Sequence, residues 1–306
     1  FDSRDGENRI HGVRYTPDDG NVRGIVQIVH GMAEYVERYE NLAEFLTKRG
    51  ILVTGEDHLG HGKSVSEGGS FGYFCEQDPA TVVVRDVHRL KKITEEQYPQ
   101  VPYIILGHSM GSFIARNYLC RYGSGIGGAV IVGTGMQPAG LIFASKAMAG
   151  IQKLFCGSKH VSHFIDKAAF GGYNKRIDSP RTSSDWLSRN TENVDRYIED
   201  ELCGFTFTVN GFQTLFELIR RLQKQENLEK VPQNLPILMV SGAEDPVGDY
   251  GKGVHKACDS LKRAGVKNIT VKLYENDRHE LLNEDDAEVA MEDIWQWICK
   301  EIPGIA

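Results

Sequence analysis

The chain matches the pattern Gly-x-Ser-x-Gly twice, in segments 107–111 and 68–72. A serine in this pattern can act as a nucleophile when a buried strand precedes it and a helix follows it, because the sharp turn between them exposes its oxygen. Segment 107–111 lies between an apolar run and a helical pattern, whereas segment 68–72 follows a polar loop. We therefore predict that Ser109 is a catalytic nucleophile and that Ser70 is a loop residue.

A serine hydroxyl needs a base that takes its proton. Two histidines, His255 and His279, lie well beyond Ser109 in the chain and outside the region 136–210. His279 follows an apolar, β-branched run, so its loop should reach the carboxyl edge of a sheet, whereas His255 lies in an amphipathic helical pattern before that run. We predict that His279 is the base.

The base in turn needs an acid that orients it. Two acidic residues, Glu244 and Asp245, follow the apolar run 237–240. Asp245 precedes a proline, which holds its backbone extended at the end of the strand. We predict that Asp245 is the orienting acid, with Glu244 as the alternative. The resulting chain order of serine, acid and histidine is that of the α/β-hydrolase fold.

Attack on a carbonyl produces an oxyanion, which backbone N–H groups stabilise when they are already in position. In this fold one donor is the residue after the nucleophile, here Met110, and the other comes from the loop after the first central strand. We predict Met32 as that second donor. Three neighbouring residues are predicted to support the site through hydrogen bonds or to contact the substrate, rather than to act as the base: His30, Gly31 and His108.

Several elements must position these residues. Short runs rich in Val, Ile and Leu are typical of strands buried on both faces of a parallel sheet, and they occupy 25–29, 51–54, 103–106, 129–132, 237–240 and 269–273. Helical patterns between and after them occupy 39–48, 81–97, 113–121, 254–264 and 287–301. The alternation predicts an α/β fold with a mostly parallel, doubly wound sheet. Segments 9–15 and 23–29 flank a turn and predict an antiparallel hairpin at the sheet edge.

The alternation stops between residues 136 and 210, where only helical patterns occur. We predict a helical cap, or lid, at 136–210, inserted between two parts of a hydrolase core, 1–135 and 211–306. Segment 141–155 carries more apolar residues than one narrow stripe. It is either a lid helix that makes transient contact with a membrane or a helix packed on the body. Six phenylalanines could line an acyl channel or fill the cap core: Phe164, Phe170, Phe205, Phe207, Phe212 and Phe216.

Composition excludes some classes of protein. A formal charge of −7 argues against nucleic acid as a partner. Six scattered cysteines without a C-x-x-C pair predict reduced thiols in a cytoplasmic protein, and no metal-binding spacing is present. The predicted chemistry needs no metal and no organic cofactor.

Four motifs together resemble one group of α/β-hydrolases, the monoacylglycerol lipases and lysophospholipases, over nearly the whole chain. They are HGMAE at 30–34, DHLGHGKS at 57–64, GHSMG at 107–111 and DPVG at 245–248. The resemblance implies a serine hydrolase that cleaves carboxylic esters of single-chain lipids through an acyl-enzyme. One departure is Leu59, where the group usually has arginine in the pattern D-x-R-G-x-G.

Other functions remain open at this point. Within serine hydrolases the alternatives are a short-chain carboxylesterase and an N-acyl amidase or aminopeptidase. A cofactor-free perhydrolase is a second alternative. A non-catalytic binding protein on a hydrolase scaffold is a third, which the complete set of serine, acid and histidine disfavours.

Overall fold

A computed structural model describes residues 1–305, in which the strands form one sheet with the order β1-β3-β2-β4-β5-β6-β7. Strands β2 to β7 are parallel, and β1 pairs antiparallel with β3. The strands are β1 (Gly12–Tyr15), β2 (Gly24–Val29), β3 (Ile51–Glu56), β4 (Tyr103–His108), β5 (Gly128–Val132), β6 (Ile237–Gly242) and β7 (Ile269–Tyr274).

The α-helices follow or connect these strands and cover both faces of the sheet. They are α1 (Glu40–Thr47), α2 (Pro79–Gln97), α3 (Met110–Tyr122), α4 (Ala139–Cys156), α5 (His163–Phe170), α6 (Thr191–Glu199), α7 (Val209–Leu222), α8 (Gln225–Leu228), α9 (Lys252–Arg263) and α10 (Ala287–Glu301). None of these helices is both long and apolar enough to cross a membrane, within residues 1–305.

The predicted mostly parallel α/β sheet is confirmed, since each predicted apolar run lies within one of the strands β2 to β7. Two details were wrong. The first strand does not form a hairpin with β2, because β3 and β4 already pair with the two edges of β2. Strand β7 is not buried on both faces: α9 packs against it, but Thr270 and Lys272 remain exposed.

Side chains alternate between two hydrophobic layers, one on each face of the sheet. On β4, Ile105 packs in the layer that contains residues of α2, α3, α7 and α9. Its neighbours Ile104 and Leu106 pack in the opposite layer, with residues of α1 and α10. Because strands β2 to β7 are parallel, their carboxyl ends meet at one edge of the sheet, which is where sites form in such sheets.

Residues 136–210 contribute helices α4, α5 and α6. Helix α4 packs against α7 on one side, while Phe143, Leu154 and Phe155 on its outer surface are 77%, 84% and 86% exposed. Segment 184–189, also within the region predicted to be helical, forms only a 3-10 turn, Asp185–Leu187.

The turn between β4 and α3 is sterically tight. Ser109 has a φ of 53° and a ψ of −120°, a backbone conformation that residues other than glycine rarely adopt. A Cβ atom on Gly111 would lie 1.9 Å from the carbonyl oxygen of Val29 and 2.4 Å from that of His30. Only glycine therefore lets α3 begin this close to the end of β2.

We predict that Gly111→Ala destabilises the protein by about 3 kcal/mol or more, because the new methyl group overlaps backbone atoms that cannot rotate away. Urea unfolding followed by circular dichroism measures this change. The matched control is Gly150→Ala in α4, where a Cβ would meet nothing within 4 Å. This control should gain up to about 1 kcal/mol, since alanine favours a helix. Equal stability of the two variants would contradict the steric argument.

Candidate active site

Asp245 and His279 form a buried hydrogen-bonded pair. His279 Nδ1 lies 2.9 Å from Asp245 Oδ2, and both side chains are almost fully buried. The carboxylate also accepts hydrogen bonds from the Val247 N–H at 2.8 Å and from the Ser241 hydroxyl at 3.2 Å. Because the carboxylate is an acceptor, the Nδ1 of His279 carries the proton and Nε2 is free to act as a base. The alternative acid, Glu244, is exposed.

The structure brings Ser109 into the same cavity as His279, together with Met32 and Met110. The loop after β2 packs directly against the serine, since a Cβ on Gly31 would lie 3.1 Å from the Ser109 Cβ. The residues predicted to attack, to take the proton and to donate N–H groups therefore face one space. Ser70 lies in the loop between β3 and α2, and His255 is exposed on α9.

His30 joins the loop after β2 to the loop after β3. Its Nε2 accepts the backbone N–H of His58 at 3.0 Å, so its Nδ1 carries a proton and donates to the Gly31 carbonyl at 2.8 Å. Burial lowers the pKa of His30, which keeps the ring neutral. Leu59 lies in the loop after β3, where it replaces the arginine of the D-x-R-G-x-G pattern, and its side chain is buried in the core.

His108 directly precedes Ser109 and joins a group of buried charges that was not predicted from the sequence. Its ring nitrogens contact Tyr39, Glu34 and the backbone carbonyl of His279. Arg38 in turn contacts Glu34. Burial alone would raise the pKa of Glu34, but its contacts with His108 and Arg38 lower it instead. The sequence did contain one indication that Glu34 belongs to the site, since it lies inside the HGMAE motif at 30–34.

The loop that carries His279 is fastened to the segment 185–190. The Glu280 N–H donates to the Leu187 carbonyl at 2.6 Å, and the Ser188 hydroxyl donates to Glu284 at 2.7 Å. An ion pair of 2.8 Å joins Arg189 to Asp277. None of these three contacts was predicted, because each joins residues about ninety positions apart.

The cavity has a volume of about 780 Å³, within the range of small-molecule sites. Five of the six phenylalanines proposed for a channel or a core line the cavity or lie in the core. Phe170, Phe205 and Phe216 line the cavity, and Phe207 and Phe212 are fully buried. Phe164 does neither, since it is 64% exposed.

Comparison with known proteins places the chain in a family. The family model described as serine aminopeptidase, S33, matches residues 20–286. Rat monoglyceride lipase is 29% identical over 89% of this chain and 80% of that protein. A monoacylglycerol lipase of Mycolicibacterium smegmatis is 27% identical over 96% of this chain and 95% of that protein.

Among solved structures, a thermostable carboxyl esterase from Bacillus coagulans, in complex with glycerol, superposes with a TM-score of 0.92 at 30% identity. The match covers 100% of this chain and 97% of that chain. Sequence and structure thus agree, and the chain belongs to the serine aminopeptidase S33 family of α/β-hydrolases.

Proposed function

We propose that the protein hydrolyses carboxylic esters of single-chain lipids, with Ser109 as nucleophile, His279 as base and Asp245 as the acid that orients the base. The observation that carries this proposal is the buried Asp245–His279 pair, whose histidine lines the same cavity as a serine held in a strained turn. This is the arrangement of groups that activates a serine hydroxyl.

The proposed reaction has two halves. Ser109 Oγ attacks the ester carbonyl while His279 Nε2 takes its proton, and the N–H groups of Met32 and Met110 stabilise the oxyanion. The imidazolium then gives the proton to the departing alcohol, which leaves an acyl-enzyme. Water attacks this ester with His279 again as the base, and the acid is released with Ser109 restored.

The cavity and the relatives support a single acyl chain as the substrate. Apolar side chains from the helical region and from α7 line the space, including Ile142, Phe170 and Phe216. The curated relatives described above are named for monoacylglycerols. The similarity to a carboxyl esterase favours short-chain esters as the second candidate substrate.

We also propose that residues 136–210 form a cap over the site, between core segments 1–135 and 211–306, and that this cap contacts membranes. The exposed apolar residues of α4 lie beside a groove formed with Phe164 of α5. Exposed apolar patches of this kind mark interaction sites. Segment 136–176 carries five lysines and one arginine against one aspartate, although the whole chain is acidic. This charge favours an anionic lipid surface.

We predict that purified protein hydrolyses monoacylglycerols and that Ser109→Ala lowers kcat by a factor on the order of 10⁶, since no other hydroxyl occupies its position. The measurement is fatty-acid release from monoacylglycerols, lysophosphatidylcholine and diacylglycerol, p-nitrophenol release from p-nitrophenyl esters, and aniline release from an aminoacyl anilide. Ser70→Ala, in the second Gly-x-Ser-x-Gly segment, is the control and should match the wild type. Full activity in Ser109→Ala would overturn the nucleophile, and cleavage of only short esters or the anilide would overturn the lipid substrate.

We predict that the double variant Leu154→Ser, Phe155→Ser binds anionic vesicles at least about tenfold more weakly, because each buried apolar side chain contributes about 1.5 kcal/mol or more. Co-sedimentation with phosphatidylglycerol vesicles measures the binding. Hydrolysis of a dissolved p-nitrophenyl ester should be unchanged, since neither residue lines the cavity. Val289→Ser, at a residue that is 54% exposed on α10, is the control. Absence of vesicle binding by the wild type would refute membrane contact.

A further inference from the structure

A group of buried charged side chains contacts the loops around Ser109, and its members come from distant parts of the chain. They are Glu34, Arg38, His108 and Glu280. Arg38 contacts two carboxylates: Glu34 at 2.9 Å and Glu280 at 2.7 and 2.8 Å. Glu34 also accepts the Gly31 N–H, and His108 lies 3.2 Å from its Oε1. The group therefore touches the predicted oxyanion loop, the nucleophile turn and the loop of the base.

The hydrogen-bond partners of His108 indicate which of its ring nitrogens carry protons. Its Nε2 lies 3.1 Å from the His279 carbonyl oxygen, which can only accept, so Nε2 carries a proton. Its Nδ1 lies 2.8 Å from the Tyr39 hydroxyl oxygen and 3.2 Å from Glu34 Oε1. The Tyr39 oxygen lies 2.8 Å from the same Glu34 oxygen.

A neutral His108 does not satisfy these three contacts. Without a proton on Nδ1, the single proton of Tyr39 would have to serve both the ring nitrogen and the carboxylate. The Nδ1 lone pair would also face a carboxylate oxygen. With a proton on Nδ1, His108 donates to Glu34 and Tyr39, and Tyr39 donates to Glu34, so each close contact contains a donor.

Charge balance leads to the same state. Glu34 and Glu280 are both buried and share one guanidinium, that of Arg38. One cation between two buried anions leaves an uncompensated negative charge, which is costly away from water. A positive His108 restores neutrality. Glu34 is not the group that carries the extra proton, because Arg38 and the Gly31 N–H both donate to it.

We propose that His108 is an imidazolium in the working enzyme and acts as a positioning residue for catalysis. Its Nε2–H holds the backbone carbonyl of His279, the proposed base. Its Nδ1–H holds Glu34, which in turn holds the Gly31 N–H of the oxyanion loop. One cation thus fixes the base and the oxyanion loop relative to Ser109. The catalytic consequence rests on the proposed function, whereas the protonation state does not.

This arrangement makes activity depend on pH at the alkaline side. Burial lowers the pKa of His108, but the hydrogen bond and the charge of Glu34 outweigh burial and raise it overall. A raised pKa means that the imidazolium, with the stability it contributes, is fully present at acidic pH and is lost as pH rises through that value. The titratable and charged groups that face His108 are Glu34, Arg38, Tyr39, His30, His279 and Glu280.

The kinetic test uses a dissolved p-nitrophenyl ester and full-length protein across the pH range. In the wild type, kcat should fall at alkaline pH, when His108 loses its proton. In His108→Gln the plateau of kcat should fall on the order of 100-fold with KM nearly unchanged, because the base is misplaced rather than removed. The alkaline fall should disappear. An alkaline fall that persists unchanged in His108→Gln overturns the proposal.

A second measurement needs no His108 variant. Nitrogen-15 NMR of histidine-labelled wild-type protein at pH 7.5 should show one ring with protons on both nitrogens. In Glu34→Gln this ring should lose its second proton at lower pH, and the alkaline fall of kcat should move in the same direction. A spectrum without a doubly protonated ring refutes the imidazolium. Failure of all hydrolysis with the doubly protonated ring present would refute the proposed function and leave the protonation state standing.

Discussion

The close approach of helix α3 to strand β2 is the constraint on which the rest of the site depends. Gly111 packs against the carbonyl oxygens of Val29 and His30, and Ser109, two residues earlier, has a strained backbone. The parallel sheet makes the approach possible because β2 and β4 are neighbours in it. The same neighbouring strands end beside the loop of Met32. The contact between α3 and the end of β2 therefore places both the proposed nucleophile and the proposed oxyanion donors.

Buried charge is the second organising feature. Arg38 joins Glu34, four positions away, to Glu280, 242 positions away. Burying ions is unfavourable unless each has a partner, so the pairs gain little net stability but strongly disfavour any arrangement that separates them. Such a group specifies geometry more than it adds free energy. Its position, between the loops that would hold an oxyanion and a base, is where a fraction of an ångström affects rate.

The region 136–210 contains two physically different parts. Helices α4 and α5 present apolar side chains such as Phe143 and Phe164 to solvent. The segment 185–190 is instead joined to the base loop by buried polar contacts, and the Trp186 ring lies 5.1 Å from the His279 ring. The two parts are therefore held differently, because α4 and α5 expose apolar surface whereas Trp186 packs beside His279.

Local signals in the sequence by themselves determined the strand runs, the serine turn and the order of Ser109, Asp245 and His279. Each of these depends on a few consecutive residues, such as an apolar run that ends at a glycine or an acid. Only the tertiary structure decided that β1 pairs with β3 and which residues Arg38 and His108 contact. It also decided which of the six phenylalanines line the cavity and which lie in the core. These features depend on which distant segments meet in space, because burial and charge pairing are properties of the packed chain and not of any window along it.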